Sequence, residues 1–573
     1  MAEGDTVKKP SSWRILGQAL RDRKTGFMLL FGFASGLPFA LFLGTLFAWL
    51  TEAEVDLETM GVFSLIGLAY AFQFIWSPLI DKLDLPVLRR LGKRKQWIIP
   101  MQLLLGAILV TMAVLDPRSQ LGMFSLLAGI GALASATQDI AINAWRIDVA
   151  DEKATLDILS TVYQMGFRLS SLAGGALALI IAERIGWPQT YVIMGGLLLA
   201  IGVAGLFAPD TERGSSGESD AEVRALRRAG ELSPTVRYRA LAIVGLLWAG
   251  AIVVLLDFMI RSMTALPENR PDPTEFTLAW GPWIIIATIV VPALVAGWLA
   301  GQQRRGANLL AEDAPAATGA SFALDHLYRA LVLPLVEFVG RMGWSLVLIL
   351  ALVLTYRICD AIWGTFAYPF YLGELQYTKD EVAFASKFFG VGAIVLGLAL
   401  GGWLLTALGR MPTLLIGGLL AALTNLLYAD MAAGGRVISA VADGTGFSAL
   451  VSSFPGGSEK LARLMVTIGG ENLAIGIAGA AFVAWLSSIV SKQFAAVQYA
   501  LLSSLTLLVG TLGRGALGQM IERQGFYDVF ILTTWIGVGA MVLVLAEWWR
   551  QTRPGGHGVV AAEAKDAAVV PAE

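Results

Sequence analysis

The sequence predicts an all-α polytopic membrane protein, built as two six-helix halves with two extra spans between them. Three observations predict it: the number of long apolar runs, a recurrence between the two ends of the chain, and the placing of Lys and Arg. Of 573 residues 56% are hydrophobic and 15% charged, with a mean hydropathy of +0.67. A water-soluble globule could not bury that much apolar surface. The net charge of -2 excludes little, because distribution matters more than the sum. The chain has one cysteine, Cys359, which rules out a disulfide framework within it and reads as a small buried hydrophobe.

A spanning helix needs roughly 20 mostly apolar residues. Such runs fall near 27–50, 59–80, 97–115, 121–145, 157–182 and 188–208, a first half covering 27–208. Residues 1–26 are polar and basic and read as a cytoplasmic segment without a removable signal peptide. Residues 209–239 read as a cytoplasmic linker, and 240–262 with 279–300 as an extra hairpin within 240–300. Within a second linker, 301–343, apolar positions alternate with Asp325, His326, Arg329, Glu337 and Arg341, which predicts a helix lying on the membrane surface. The second half, 344–549, holds runs near 344–371, 381–407, 411–431, 462–490, 494–519 and 527–549. Residues 550–573 read as a disordered cytoplasmic tail, and the Gly-rich stretch 432–461 as an outer loop. About fourteen transmembrane helices are expected.

Basic residues set the orientation. Segments 8–24 and 82–95 are rich in Lys and Arg, whereas the loop 52–58 between them has none. Both termini are therefore expected in the cytoplasm. Gly175-Ala176-Leu177 with Glu183-Arg184 recurs as Gly515-Ala516-Leu517 with Glu522-Arg523, joining the fifth and sixth spans of each half. Parallel six-span halves are the layout of major-facilitator transporters, whose substrate site lies at the interface of the halves near the bilayer midplane. Asp81-Lys82 followed by Gly92-Lys93-Arg94-Lys95 resembles the cytoplasmic gating signature of that superfamily, with an insertion between its parts.

Ionisable residues inside a span are costly, and so are functional candidates. Asp139 lies in the fourth span with Gln138, and Asn143 follows on the same face. At 1.5 Å per residue, Asp139 and Arg168 of the fifth span both lie about 10 to 20 Å from the cytoplasmic face, so the two could pair. Arg146 and Asp148, at the helix end, read as a snorkelling surface pair. In the second half Arg357 and Asp360 share a face, with Lys387 and Glu471 at comparable depth, forming either a substrate or proton site or a charge-neutral structural network. Asp257, in the hairpin, is deep and has no obvious partner. Aromatic faces for a sugar could come from Tyr163 and Trp363, among others. Gly513-Arg514-Gly515-Ala516-Leu517-Gly518 follows no strand, so helix packing explains it better than nucleotide binding. There are only two histidines, His326 and His557, neither in a clear span, so a proton relay must use carboxylates.

Several runs resemble the AmpG muropeptide permeases: Phe33-Ala34-Ser35-Gly36-Leu37-Pro38, Gly44-Thr45-Leu46, Trp76-Ser77-Pro78-Leu79-Ile80-Asp81, the stretch Ser135 to Trp145, Tyr356-Arg357-Ile358-Cys359-Asp360, Glu471-Asn472-Leu473 with Ala480-Ala481-Phe482, and Gln498-Tyr499-Ala500-Leu501. The resemblance implies a non-enzymatic importer in the bacterial inner membrane, taking up N-acetylglucosamine–anhydro-N-acetylmuramic acid peptides with the proton as coupling ion. It also implies a link to β-lactamase induction, no other cofactor, no nucleic-acid partner and a monomer. On it, Asp139 or Glu471 is expected to carry the proton. Arg357 and Lys387 would attract the solute's carboxylates, with Gln138, Asn143, Arg168, Asp360, Asn472, Trp363 and Tyr163 lining the site. Asp81, Lys82 and Arg94 would form the gate. Asn143 departs from the pattern, standing where family members often have an acid. The alternatives are a transporter of another polar amphiphile such as a drug or an acyl-coenzyme A, a membrane-embedded wall-lipid transferase, and a muropeptide sensor that does not transport.

Overall fold

The structure, a computed structural model, describes residues 21–54, 69–70, 72–209, 232–264, 269, 271, 273–307, 320–357, 367 and 369–553. Among these, ten helices are long and apolar enough to cross a membrane, or eleven if a bent pair is counted as one span. The protein is thus a multi-pass, all-helical membrane protein. The fourteen expected spans are not all among the ten; half of the second and part of the ninth lie outside the described residues.

In the first half, α1 (Arg23–Ala40), the short α2 (Ser77–Lys82), α3 (Lys95–Ala113), α4 (Leu121–Val149), α5 (Leu156–Ser171) and α6 (Trp187–Gly205) follow the predicted order. Leu and Ala supply the apolar runs, and Thr155 starts α5 by accepting from the Ile158 amide. Helix α1 continues through a π-helical turn, Leu41–Thr45, and α5 through another, Leu172–Leu177. Wide turns of this kind often mark functional positions.

The pairing of α1 with α5 positions the site. A methyl group on Gly32 would strike the main-chain oxygen of Tyr163, and one on Gly166 would strike that of Leu29. Only hydrogen at these two positions lets the backbones meet, which brings Tyr163 beside Ser35.

The extra hairpin comprises α7 (Pro234–Thr264) and a helix ending in α8 (Val291–Arg304). It leans on the second span through Phe74 and Trp248, whose rings are 5.9 Å apart. Asp257 has a partner after all: it pairs with Arg261 four residues on, at an exposed site. Where a single surface helix was expected, α9 (Ala320–Leu331) and α10 (Leu333–Met342) are found, and α10 meets α11 (Ser345–Thr355) at 103°. Arg237 and Asp325 form a buried ion pair of 2.9 Å that ties α9 to the hairpin.

The second half continues with α12 (Gly390–Leu408) and α13 (Arg410–Ala432). The stretch 432–461, read only as an outer loop, holds α14 (Arg436–Gly444) and α15 (Phe447–Ser452), entered through left-handed Gly435 and Gly446. Helices α16 (Glu459–Ser488), α17 (Ala495–Gln524) and α18 (Phe526–Thr552) complete it. The halves meet where α4 and α5 face α12, α16 and α17.

Candidate functional site

Asp139 lies on α4 ten residues before the helix ends at Val149, which is about 15 Å of rise. Its Oδ1 accepts from Ser35 Oγ and from Tyr163 Oη, each at 2.6 Å. Gln138 donates Nε2 to the Ala34 carbonyl at 2.8 Å, while its own buried Oε1 meets no donor among the described residues. Asn143 is buried, donates to the main-chain oxygen of Asp139 at 2.8 Å and keeps an unpartnered Oδ1. The partners of the Asp139 carboxylate are hydroxyls, and the expected pairing with Arg168 is not made. Depth fixes the height of a residue but not its direction. Arg168 comes five residues after Tyr163, hence about 140° around the helix from it.

Arg146 falls on the face of Asp139 and Asn143, seven residues beyond the acid. Its side chain is not at the surface: its exposure is 0%. Nη2 donates to Ser487 Oγ of α16 at 2.9 Å. The Tyr163 ring lies 4.9 Å to one side and the Tyr499 ring, from α17, 5.0 Å to another. Nε and Nη1 meet no acceptor among the described residues. The expected snorkelling pair with Asp148 is therefore replaced by a buried cation caged between the halves. Its signal in the sequence was weak, since a terminal Arg usually reaches water.

In the second half, Glu471 is half-buried on α16 and accepts from the Tyr428 hydroxyl, which lies 2.9 Å from that of Tyr371. These two tyrosines join Phe370, Phe526 and Phe530 in an aromatic cluster, of which the sequence pointed to Phe370 and Tyr371 as candidate faces but not to Tyr428, Phe526 or Phe530. Asn472 turns its Nδ2 back to the Ile468 carbonyl at 2.8 Å. Lys387 is exposed on a π-helical turn, Phe384–Phe389, and Arg357 is half-buried just after α11. Asp360 and Trp363 lie outside the described residues. A cavity of about 310 Å³ is walled by Phe389, Phe447, Met465, Gly469 and Gly470, the last preceding Glu471 in the chain.

Of the residues expected at the gate, Asp81 and Arg94 are brought together. Arg94, fully buried, binds Asp81 and Asp148 at 2.7 Å each. Burial alone would lower the pKa of Arg94, but Asp148 and Asp81 outweigh it and raise it. Asp81 also receives the main-chain N–H groups of Ala496 and Val497, at 3.4 and 3.1 Å, at the start of α17. An acid at a helix start meets unfilled amides and the positive end of the helix dipole. Lys82 sits 5.0 Å from the Phe494 ring. On this basic face, then, the first half grips the second.

Two helical halves, half-buried acids near their interface and a clasp from Asp81 to α17 across one face fit a membrane transporter with the major-facilitator fold. Comparison with known proteins supports this class. Over 91% of its length the chain is 28% identical to the anhydromuropeptide permease of Escherichia coli K12, covering 79% of that protein. Over 90% of the chain it is 24% identical to a transporter named AmpG 4 in Rickettsia conorii, covering 95% of that protein. The resemblance to the muropeptide permeases thus extends well beyond short motifs. Residues 26–121 match the family described as acetyl-coenzyme A transporter 1. Among solved structures, the major-facilitator proton:xylose symporter XylE aligns with a TM-score of 0.50 at 11% identity, over 94% of this chain and 95% of that one.

Proposed function

We propose that the protein imports anhydromuropeptides across the bacterial inner membrane by alternating access, driven by the proton gradient, with its basic face and both termini in the cytoplasm. The observation that carries the substrate is the similarity to the Escherichia coli permease along 91% of the chain. Coupling is assigned to Asp139, a carboxylate inside a span that can release its two hydroxyl partners when it takes a proton. Glu471, with its own tyrosine, is the second carrier. Arg357 and Lys387 draw in the carboxylates of the peptide stem. In a host with an inducible β-lactamase, the imported peptide would feed that induction. The protein works as a monomer and needs no cofactor beyond the proton.

Uptake of a labelled N-acetylglucosamine–anhydro-N-acetylmuramic acid tripeptide into vesicles tests the proposal. Wild-type uptake should collapse with an ionophore, and Asp139→Asn should abolish proton-driven accumulation while leaving the protein folded. Full accumulation by that variant would remove Asp139 from the coupling. The match of residues 26–121 to acetyl-coenzyme A transporters supports a second reading, an acyl-coenzyme A solute. Competition between unlabelled acetyl-coenzyme A and the labelled tripeptide separates the two.

A further inference from the structure

We propose that Arg146 is a carboxylate-binding site shared by the two halves, reached when they part on the basic face. A guanidinium with 0% exposure and no carboxylate on it is costly, so it must be compensated in another state of the molecule. Asp148 and Asp81 pair with Arg94, Asp157 with Arg410 and Asp151 with Lys24. Asp139 lies two helical turns away and is held by Ser35 and Tyr163. Among the described residues no carboxylate therefore pairs with Arg146, whereas Nε and Nη1 still have hydrogens to give.

The cage suits a transient anion. Tyr163 and Tyr499 cover the cation with aromatic faces, which steady its charge without using its donors. Tyr163 belongs to the first half, and Tyr499 and Ser487 to the second, so relative motion of the halves takes the cage apart. Asn143 Oδ1, one turn up the same face, and Ser160 Oγ, one turn before Tyr163, are also buried without partners. These two can serve the rest of a polar ligand. The ligand class is a solute bearing a carboxylate, held near the basic side late in transport. Only this last step, the identity of the solute, rests on the permease reading.

The test uses the full-length protein in detergent, with its melting temperature titrated with glutarate against sodium chloride of equal ionic strength. Wild type should be stabilised by glutarate. Arg146→Gln should show no such rise, and Arg146→Lys should keep part of it. Without ligand, Arg146→Gln should melt no lower than wild type, because it removes an uncompensated charge. An equal glutarate response in wild type and Arg146→Gln, no response in wild type, or a lower baseline for Arg146→Gln would each overturn the site, the last by making Arg146 a structural clasp.

A second arm measures binding of the disaccharide tripeptide and of its analogue with every carboxylate converted to carboxamide. Arg146→Gln should weaken binding of the acid form on the order of thirtyfold and leave the amide form unchanged. If wild type binds neither compound, the permease reading falls while the glutarate arm still decides the role of Arg146.

Discussion

Asp157 Oδ1 lies 2.6 Å from Arg410 Nε, joining the first turn of α5 in one half to the first residue of α13 in the other. Both side chains are partly exposed, so the pair contributes about 0.2 to 1 kcal/mol. Asp157→Asn should shift the balance between closed and open basic faces by less than about fivefold. Reversing both charges should restore it. Labelling of an introduced cysteine on that face by a membrane-impermeant reagent would measure the shift.

Asp81→Asn should have a larger effect. It leaves Arg94 with one carboxylate and weakens the acceptor for two amides of α17. Roughly 3 kcal/mol of stability should be lost, read as a lower melting temperature, with faster labelling of the basic face.

Much of the architecture was legible because hydropathy reports what a bilayer demands. The end of α4 was predicted at 145 and falls at Val149, and α13 runs Arg410–Ala432 against a predicted 411–431. The candidate site was legible in part: Asp139 stands out as an acid among Ala and Ile, and Asp81 and Arg94, picked out by resemblance to a gating signature, do meet. Arg146 was misread because its burial depends on α16 and α17 closing over it, residues more than 300 positions away. Tyr163 was among the expected site residues, but the tyrosine that serves Glu471 was hidden for a similar reason. Tyr428 meets Glu471 only through the packing of α13 on α16, and one aromatic among many in a membrane chain carries no mark of its role. The Gly-rich stretch 432–461 read only as an outer loop, and within it Gly435 and Gly446 each start a short helix.

Tyr163→Phe separates the two tasks of that side chain. It removes the hydroxyl given to Asp139 and keeps the ring beside Arg146. A hydrogen bond to a charged acceptor is worth about 1.5 to 3 kcal/mol, so proton-driven accumulation should fall on the order of tenfold. Solute affinity should stay near that of wild type. Tyr163→Leu should disturb both.

One contact predicts a dependence on acidity. Lys24 holds Asp151, outside the spans, at 2.5 Å, and this bond, aided by the Ala154 and Lys153 amides, lowers the pKa of the Asp151 carboxyl. A lowered acid contributes stability above its unfolded pKa of about 3.9, and that contribution is lost as pH falls through the lowered folded value. Asp151→Asn should therefore melt below wild type at neutral pH. The two melting curves should converge as the medium is acidified below about pH 3.

The grip of Asp81 on α17 carries a consequence for how the transporter moves. The same carboxylate neutralises a buried guanidinium in its own half and completes the first turn of a helix in the other. A small separation of the halves already leaves the α17 amides bare and uncovers the Asp81 carboxylate that they cap, so both penalties fall at the start of the stroke. Further travel adds little to either. The basic face should therefore behave as a snap fastener, with sharp two-state switching and few half-open molecules. How often it releases is set far from where the solute rides.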